Sequence, residues 1–371
     1  MLPAAPLLIY KIGISLIPGI GPANAKKIIA YLGSIEAVFK EPKSTLEKIP
    51  GIGSVTASSI ANSQVLDRAK EELEFIAKNK IQPYYILDPN YPNRLRECAD
   101  APILFYSRGD VDLNSKKIIS IVGTRKATIP GSDYCKKLIK DLVNNGHQPV
   151  VVSGLAYGID ITAHKASIDN NLPTVGVMAH GLDKIYPSAH VDIARKMVDN
   201  GAIITEFLSN TIPDRQNFIR RNRIVAGLSD ATIVIESDLR GGSLITADIA
   251  NSYNRDVFAV PGRVGEKSSA GCNWLIKTNR AALLESYKDL EYILGWDSGD
   301  KNKHIEQKLL FDSLSDEALQ ILNLLKKEGE MDLDKITMKL KLSLPKTSAI
   351  LLNLEFDGFV KVLPGKIFMP V

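Results

Sequence analysis

Seven short apolar runs recur across the middle of the chain, near 118–122, 149–153, 174–178, 202–206, 231–235, 256–260 and at Ala282-Leu283-Leu284. Helix-length amphipathic or mixed segments separate them. Alternation of this kind predicts an α/β fold, a mostly parallel sheet with helices on both faces. Ligands of such sheets bind beyond the carboxyl ends of the strands. The segments that follow the runs are therefore where chemistry is expected.

Two of these segments stand out. Ser153–Asp160, SGLAYGID, follows Val150-Val151-Val152 and leads into a helical pattern. Gly154 and Gly158 allow a tight turn and close approach to a ligand, and strand, Gly-rich turn and helix N-terminus together make an anion site. Phe218–Leu228, FIRRNRIVAGL, sets Arg220, Arg221 and Arg223 beside an aromatic ring. On a helix Arg220 and Arg223 share a face and Arg221 points elsewhere. One of these is expected to pair with Glu206 or Glu236, which end two of the runs. Phe218 suits base stacking, with Arg215 a turn earlier; the alternative is a core anchor.

Further candidates fall on the same rim. Gly123-Thr124-Arg125-Lys126 follows the first run, and the Arg125 fork can grip a phosphate bidentately; a surface salt bridge is the plainer role. Arg240-Gly241-Gly242-Ser243-Leu244-Ile245-Thr246 opens another helix, where Ser243 and Thr246 contact a ligand or serve as cap and first-turn hydroxyl. Ser153 offers a hydroxyl. Asp160 and His164, four apart, suit either a metal or acid–base pair or, more simply, a helix cap and a packed histidine. No third ligand has a matching spacing. Neither a Walker A signature nor Gly-x-Gly-x-x-Gly is present, so ATP hydrolysis and hydride transfer are unsupported.

The flanks differ from the centre. Pro18-Gly19-Ile20-Gly21-Pro22-Ala23 recurs as Pro50-Gly51-Ile52-Gly53-Ser54-Val55, each copy opening a helical pattern. This resembles a tandem helix-hairpin-helix, whose turn either meets a phosphate or serves packing and protein contact. A Pro-, Tyr- and Asp-rich connector, 83–102, reads as turns. After a polar linker at 297–305, helical patterns near 315–328, 332–341 and 345–357 precede a hairpin, the order of a winged helix. Its recognition segment carries Lys346 against Glu355, so a protein-contact role is at least as well supported as duplex DNA. The expected domains are 1–82, 83–296 and 306–371.

The totals constrain rather than identify. Basic residues number 46 against 42 acidic, so any polyanion face must come from local clustering. Three dispersed cysteines fit neither a disulfide framework nor a zinc site and favour a reducing compartment. No basic n-region or membrane-length apolar run is present. A cytoplasmic protein with no metal and no cofactor is expected.

The motifs IVGTRKAT, VVSGLAYGIDITAH, GLDKIYPSAH, FIRRNRIVAGLS, GGSLITADIA, VFAVPG and GCNWLIK, in that order over about 85–290, resemble the DprA/Smf family, the DNA-processing proteins of natural transformation. The flanking modules also fit that family's architectures. The resemblance implies an extended Rossmann-like domain that binds single-stranded DNA, protects it and loads RecA. It also implies a non-enzymatic role and a homodimer formed through that domain. By position, the DNA site would comprise Gly123, Thr124, Arg125, Lys126, Ser153, Gly154, Gly158, Arg215, Phe218, Arg221, Arg223, Gly242 and Ser243. Gly241 and Cys272 depart from the family's usual Ser and Thr, which touches small contacts only. The competing reading is a Rossmann-like nucleotide-processing hydrolase with Glu206 or Glu236 as base. Its Pro-Gly-Gly-x-Gly-Thr type loop is missing.

Overall fold

Strand β3 (Ile118–Val122) shows how the sequence builds the centre. Ile119 and Ile121 pack into one apolar cluster with Leu138, Leu142 and Phe258. Ile118 and Val122 belong to a second cluster with Val150, Val175 and Ile224. Successive side chains of a strand point to opposite faces, so a run with apolar residues on both faces, Ser120 apart, must be covered on both sides. The computed structural model describes residues 5–296, 315–356, 359–363 and 367–370. The linker expected over 297–305 lies outside the described residues.

The chain divides into two units, 1–298 and 299–371. The first carries a nine-stranded sheet. Its other strands are β1 (Gln82–Tyr85), β2 (Leu104–Gly109), β4 (Val150–Ser153), β5 (Thr174–Val177), β6 (Gly201–Thr205), β7 (Ala231–Val234), β8 (Asp256–Ala259) and β9 (Ala282–Leu283). The order is β1-β2-β6-β5-β4-β3-β7-β8-β9. From β6 to β9 every pairing is parallel, whereas β1 and β2 are antiparallel. Strand order reverses direction at β3, between β4 and β7, which is the position where doubly wound sheets open a ligand crevice.

The seven expected strands are present with bounds shifted by a residue or two. Two others were not expected. The connector read as turns contains β1 and leads into β2, and the boundary expected after residue 82 falls inside β1. The N-terminal helices are also fastened to the sheet side of the unit. Glu72, buried in helix Val65–Lys78, accepts from the backbone N–H of Ser209 at 3.0 Å and from its hydroxyl. Arg68 donates to Glu72 at 2.9 Å and to the Ser209 carbonyl at 2.7 Å. Lys11 donates to Asp88 at 2.9 Å.

The two helix-hairpin-helix turns repeat in conformation as in sequence. Gly19 and Gly51 have φ of 79° and 84°; Gly21 and Gly53 are extended caps to helices Pro22–Leu32 and Ser54–Ala61. The second unit has helices Asp316–Glu328, Leu333–Leu340 and Leu344–Phe356 and a sheet of β10 (Met331–Asp332), β11 (Val360–Leu363) and β12 (Ile367–Pro370), ordered β10-β12-β11. Its helices close on a core of Ile321, Leu325, Ile336, Leu351 and Leu354. Lys346 is drawn to Glu317, and helix Leu344–Phe356 leaves Leu352 and Phe356 exposed. That surface is more apolar than basic.

Glu72→Ala is expected to destabilise the first unit by about 2–3 kcal/mol, because it strands a buried amide and a hydroxyl that now bond a carboxylate. Urea unfolding of the variant against wild type measures it.

Candidate nucleic-acid interface

The loops after β3, β4, β5 and β7 and the start of helix Arg215–Leu228 enclose a cleft of about 710 Å³. Two glycines make it possible. Gly158 has φ +80°, and a Cβ there would lie 2.1 Å from the Thr124 carbonyl oxygen. Without one, the β4 turn packs against the β3 turn and the Ile159 N–H donates to Thr124 at 3.2 Å. At Gly154 a Cβ would meet the Arg221 guanidinium at 2.1 Å and Asp160 at 2.5 Å. The glycine leaves room for a charged side chain to pass beneath the turn.

Arg221 occupies that room. It is 4% exposed, donates to the Val177 carbonyl at 2.5 Å, and its Nε has no partner. Burial pulls its pKa down, opposed by the Asp160 carboxylate. Burial pushes Asp160 up, opposed by Arg221 and by the Ala156 amide. Above this floor stands Phe218, with the Arg125 guanidinium 5.1 Å from its ring centre and that of Arg221 at 5.9 Å. Cation–ring contacts of this kind hold a flexible arginine in place.

Arginines and carboxylates both line the cleft, but their situations differ. Asp160 accepts from Ala156, Asp214 caps its own helix by accepting from Gln216, and Asp238 binds Leu239 N–H and Lys267. No ion pair among the described residues engages Arg125, Arg215 or Arg240. Helix Gly242–Ser252 begins at the cleft with Gly241 at its cap, which has no side chain to satisfy the first amides. Guanidinium groups without ion pairs and the uncapped N-terminus of helix Gly242–Ser252 therefore face the opening, an arrangement suited to a phosphate chain.

Gly123, Thr124, Arg125, Gly154, Arg215, Phe218, Arg221, Gly242 and Ser243 all line the cleft. Four expected positions do not. The Ser153 hydroxyl is buried and donates to the Ile121 carbonyl at 2.6 Å, tying β4 to β3. Gly158 acts through loop packing. Lys126 is exposed beside the cleft. Arg223 turns to the other side of its helix, where it bonds Glu206 and the Asp100 carbonyl. Arg220 joins it on Glu206 at 3.4 Å, as their helical spacing predicts. Glu236 instead accepts from the Thr128 N–H at 2.9 Å and from its hydroxyl, fixing the loop that follows Arg125. Ser243 donates to Ser237 at 2.8 Å. Tyr186, in the GLDKIYPSAH motif, also lines the cleft and was not singled out; its signal was an aromatic within a loop following an apolar run.

His164 takes the simpler of its two roles, whereas Asp160 is not a cap: it lies in the first turn of its helix, whose cap is Gly158, and accepts from the Ala156 N–H of the preceding turn. His164 is fully buried, with Nδ1 2.7 Å from the Thr174 hydroxyl, which itself donates to Val151. That network makes His164 the donor. Burial, with Arg221 and His190 nearby, lowers its pKa to about 3. The three cysteines are buried and unpaired, and burial pushes Cys135 and Cys272 up to about 12.

Residues 82–294 match the family model of DNA recombination-mediator protein A. The chain belongs to that family. In the flanks, residues 311–366 match the DprA winged helix domain and 14–63 a SAM-like helix-hairpin-helix tandem. Protein Smf of Synechocystis is 32% identical over 282 residues, 74% of this chain and 70% of that protein. DNA processing protein DprA of Streptococcus pneumoniae is 37% identical over 225 residues, 61% and 77% of the two chains. The X-ray structure of DNA processing protein A from S. pneumoniae superposes with a TM-score of 0.61 at 30% identity, covering 79% of this chain and 98% of that one. The Helicobacter pylori protein, whose structure describes its single-stranded DNA binding mode, gives 0.53 at 29% identity, over 59% and 97%. The family is one of DNA recombination mediators. No helix among the described residues is long and apolar enough to cross a membrane.

His164 carries a pH consequence. Its folded pKa lies below the ordinary 6.5, so only the unfolded chain takes up this proton as pH falls, and stability is lost from about pH 6.5 downward towards about 3. Between pH 7 and 5 the loss is about 2 kcal/mol. Urea unfolding at both pH values should show that His164→Asn flattens this difference.

Proposed function

We propose that this protein holds single-stranded DNA in the cleft, protects the incoming strand and loads RecA onto it during natural transformation, acting in the cytoplasm as a homodimer through its Rossmann-like domain. The observation that carries the reading is the Arg125–Phe218–Arg221 group at the point where strand order reverses. It sets phosphate-gripping guanidinium groups around an aromatic ring with no ion pair to Arg125. The H. pylori relative, described as binding single-stranded DNA, supports the same ligand here. Arg125, Arg215 and the amides of Gly242 and Ser243 would take phosphates. Arg221, beneath Gly154, would supply a fixed positive charge.

A nucleotide hydrolase is the weaker alternative on physical grounds. Its base would be Glu206 or Glu236. Neither lines the cleft: Glu206 holds Arg220 and Arg223 through Oε2, with Oε1 buried, and Glu236 holds Thr128. A carboxylate held in such bonds orients loops and is poorly placed to accept a substrate proton. We therefore read the protein as a binder and not an enzyme.

Titration of labelled oligonucleotide at several salt concentrations tests this. Affinity for single strands should exceed that for duplex and fall with a log–log slope of about −0.7 per phosphate neutralised. Arg125→Ala should weaken binding roughly 10- to 100-fold regardless of sequence, and reduce the slope by about 0.7. Unaltered affinity in the variant, or release of free base from nucleoside monophosphates, would overturn the reading.

A further inference from the structure

Phe218 is the aromatic residue that sequence reasoning offers to a base, yet its surroundings fit another task. Its ring already has the guanidinium of Arg125 at 5.1 Å and of Arg221 at 5.9 Å, and the side chain is only partly exposed. Tyr186 is different. It lies on the loop after β5, lines the same cleft, and is 51% exposed. Its ring centre is 6.2 Å from that of Phe218, tilted by 55°. No cation lies over the Tyr186 ring among the described residues.

The backing of Tyr186 is rigid. His180, 1% exposed, meets its ring edge-on at 6.4 Å and 90°. His180 Nδ1 is 2.8 Å from the Gly181 carbonyl, and the His180 carbonyl accepts from Thr205 at 2.8 Å. A half-exposed ring on a fixed backing presents a flat apolar face at little entropic cost.

Resting on the single-strand reading of the cleft, we propose that Tyr186 is the shelf on which an unpaired base stacks. Phe218 is the seat that holds Arg125 in position for a phosphate. The division of labour separates two properties. Phosphate contacts are made by any nucleic acid. A base can lie flat on Tyr186 only if it has left its own stack, so the shelf selects single strands.

The test uses the full-length chain and a polythymidine oligonucleotide with interspersed 2-aminopurine, whose fluorescence is quenched on stacking. Wild type should quench it. Tyr186→Ala should lose the quench and about five- to hundredfold in affinity, with the salt slope unchanged because no phosphate contact is removed. Tyr186→Phe, which keeps the ring, should restore both. Phe218→Leu should keep the quench and show a shallower salt slope, because Arg125 loses its seat. Wild-type quenching and affinity in Tyr186→Ala would overturn the proposal. So would loss of the quench in Phe218→Leu with an unaltered slope. Failure of the underlying reading looks different: Arg125→Ala and wild type would then bind the strand equally.

Discussion

A buried guanidinium sets the architecture of the cleft. Removing a charge from water costs several kcal/mol unless it is met by other polar groups, and Arg221 meets the Val177 carbonyl and the field of Asp160. Its path runs under a turn that must be glycine at 154. The β5 strand end, the β4 turn and helix Arg215–Leu228 are thereby locked to one another. Phe218, three residues earlier on that helix, is carried to the place where Arg125 can lie against it. Displacing Arg221 would loosen the floor and both walls together.

One tetrapeptide, Arg220-Arg221-Asn222-Arg223, performs opposed tasks around this point. Arg220 and Arg223 turn outward to a single carboxylate, Glu206, and fasten the helix to the loop after β6. Arg221 turns inward. Consecutive residues of a helix are about 100° apart, so a run of like charges can be divided between scaffold and site. The same division holds for the acids. Glu206 and Glu236 brace loops, and the carboxylates that do reach the cleft are each met by a local amide.

The parallel sheet was legible because strands covered on both faces must be apolar at nearly every position. β1, Gln82–Tyr85, escaped because it is an edge strand containing Pro83 and precedes the turn-rich Leu87–Pro92. The rim position of the candidate residues was legible too, since topology alone sends those loops to the carboxyl ends of the strands. The direction of each side chain was not. Ser153 and Arg223 have the right chemistry at the right height, yet one bonds back to β3 and the other turns behind its helix. Gly158 reads in sequence as room for a ligand, whereas its missing Cβ makes room for the Thr124 carbonyl of the neighbouring turn. Tyr186 reaches the cleft through a loop whose path no periodicity encodes.

The antiparallel end of the sheet bears on how this chain can be divided. β1 covers β2, and β2 in turn covers β6. A fragment begun after the helical module, at residue 86 or beyond, would leave the backbone of Leu104–Gly109 unpaired along one side. That row of bare amides and carbonyls is a template for another strand. A shortened protein would be prone to associate edge to edge, and a fragment that keeps Gln82–Tyr85 would retain its natural cover.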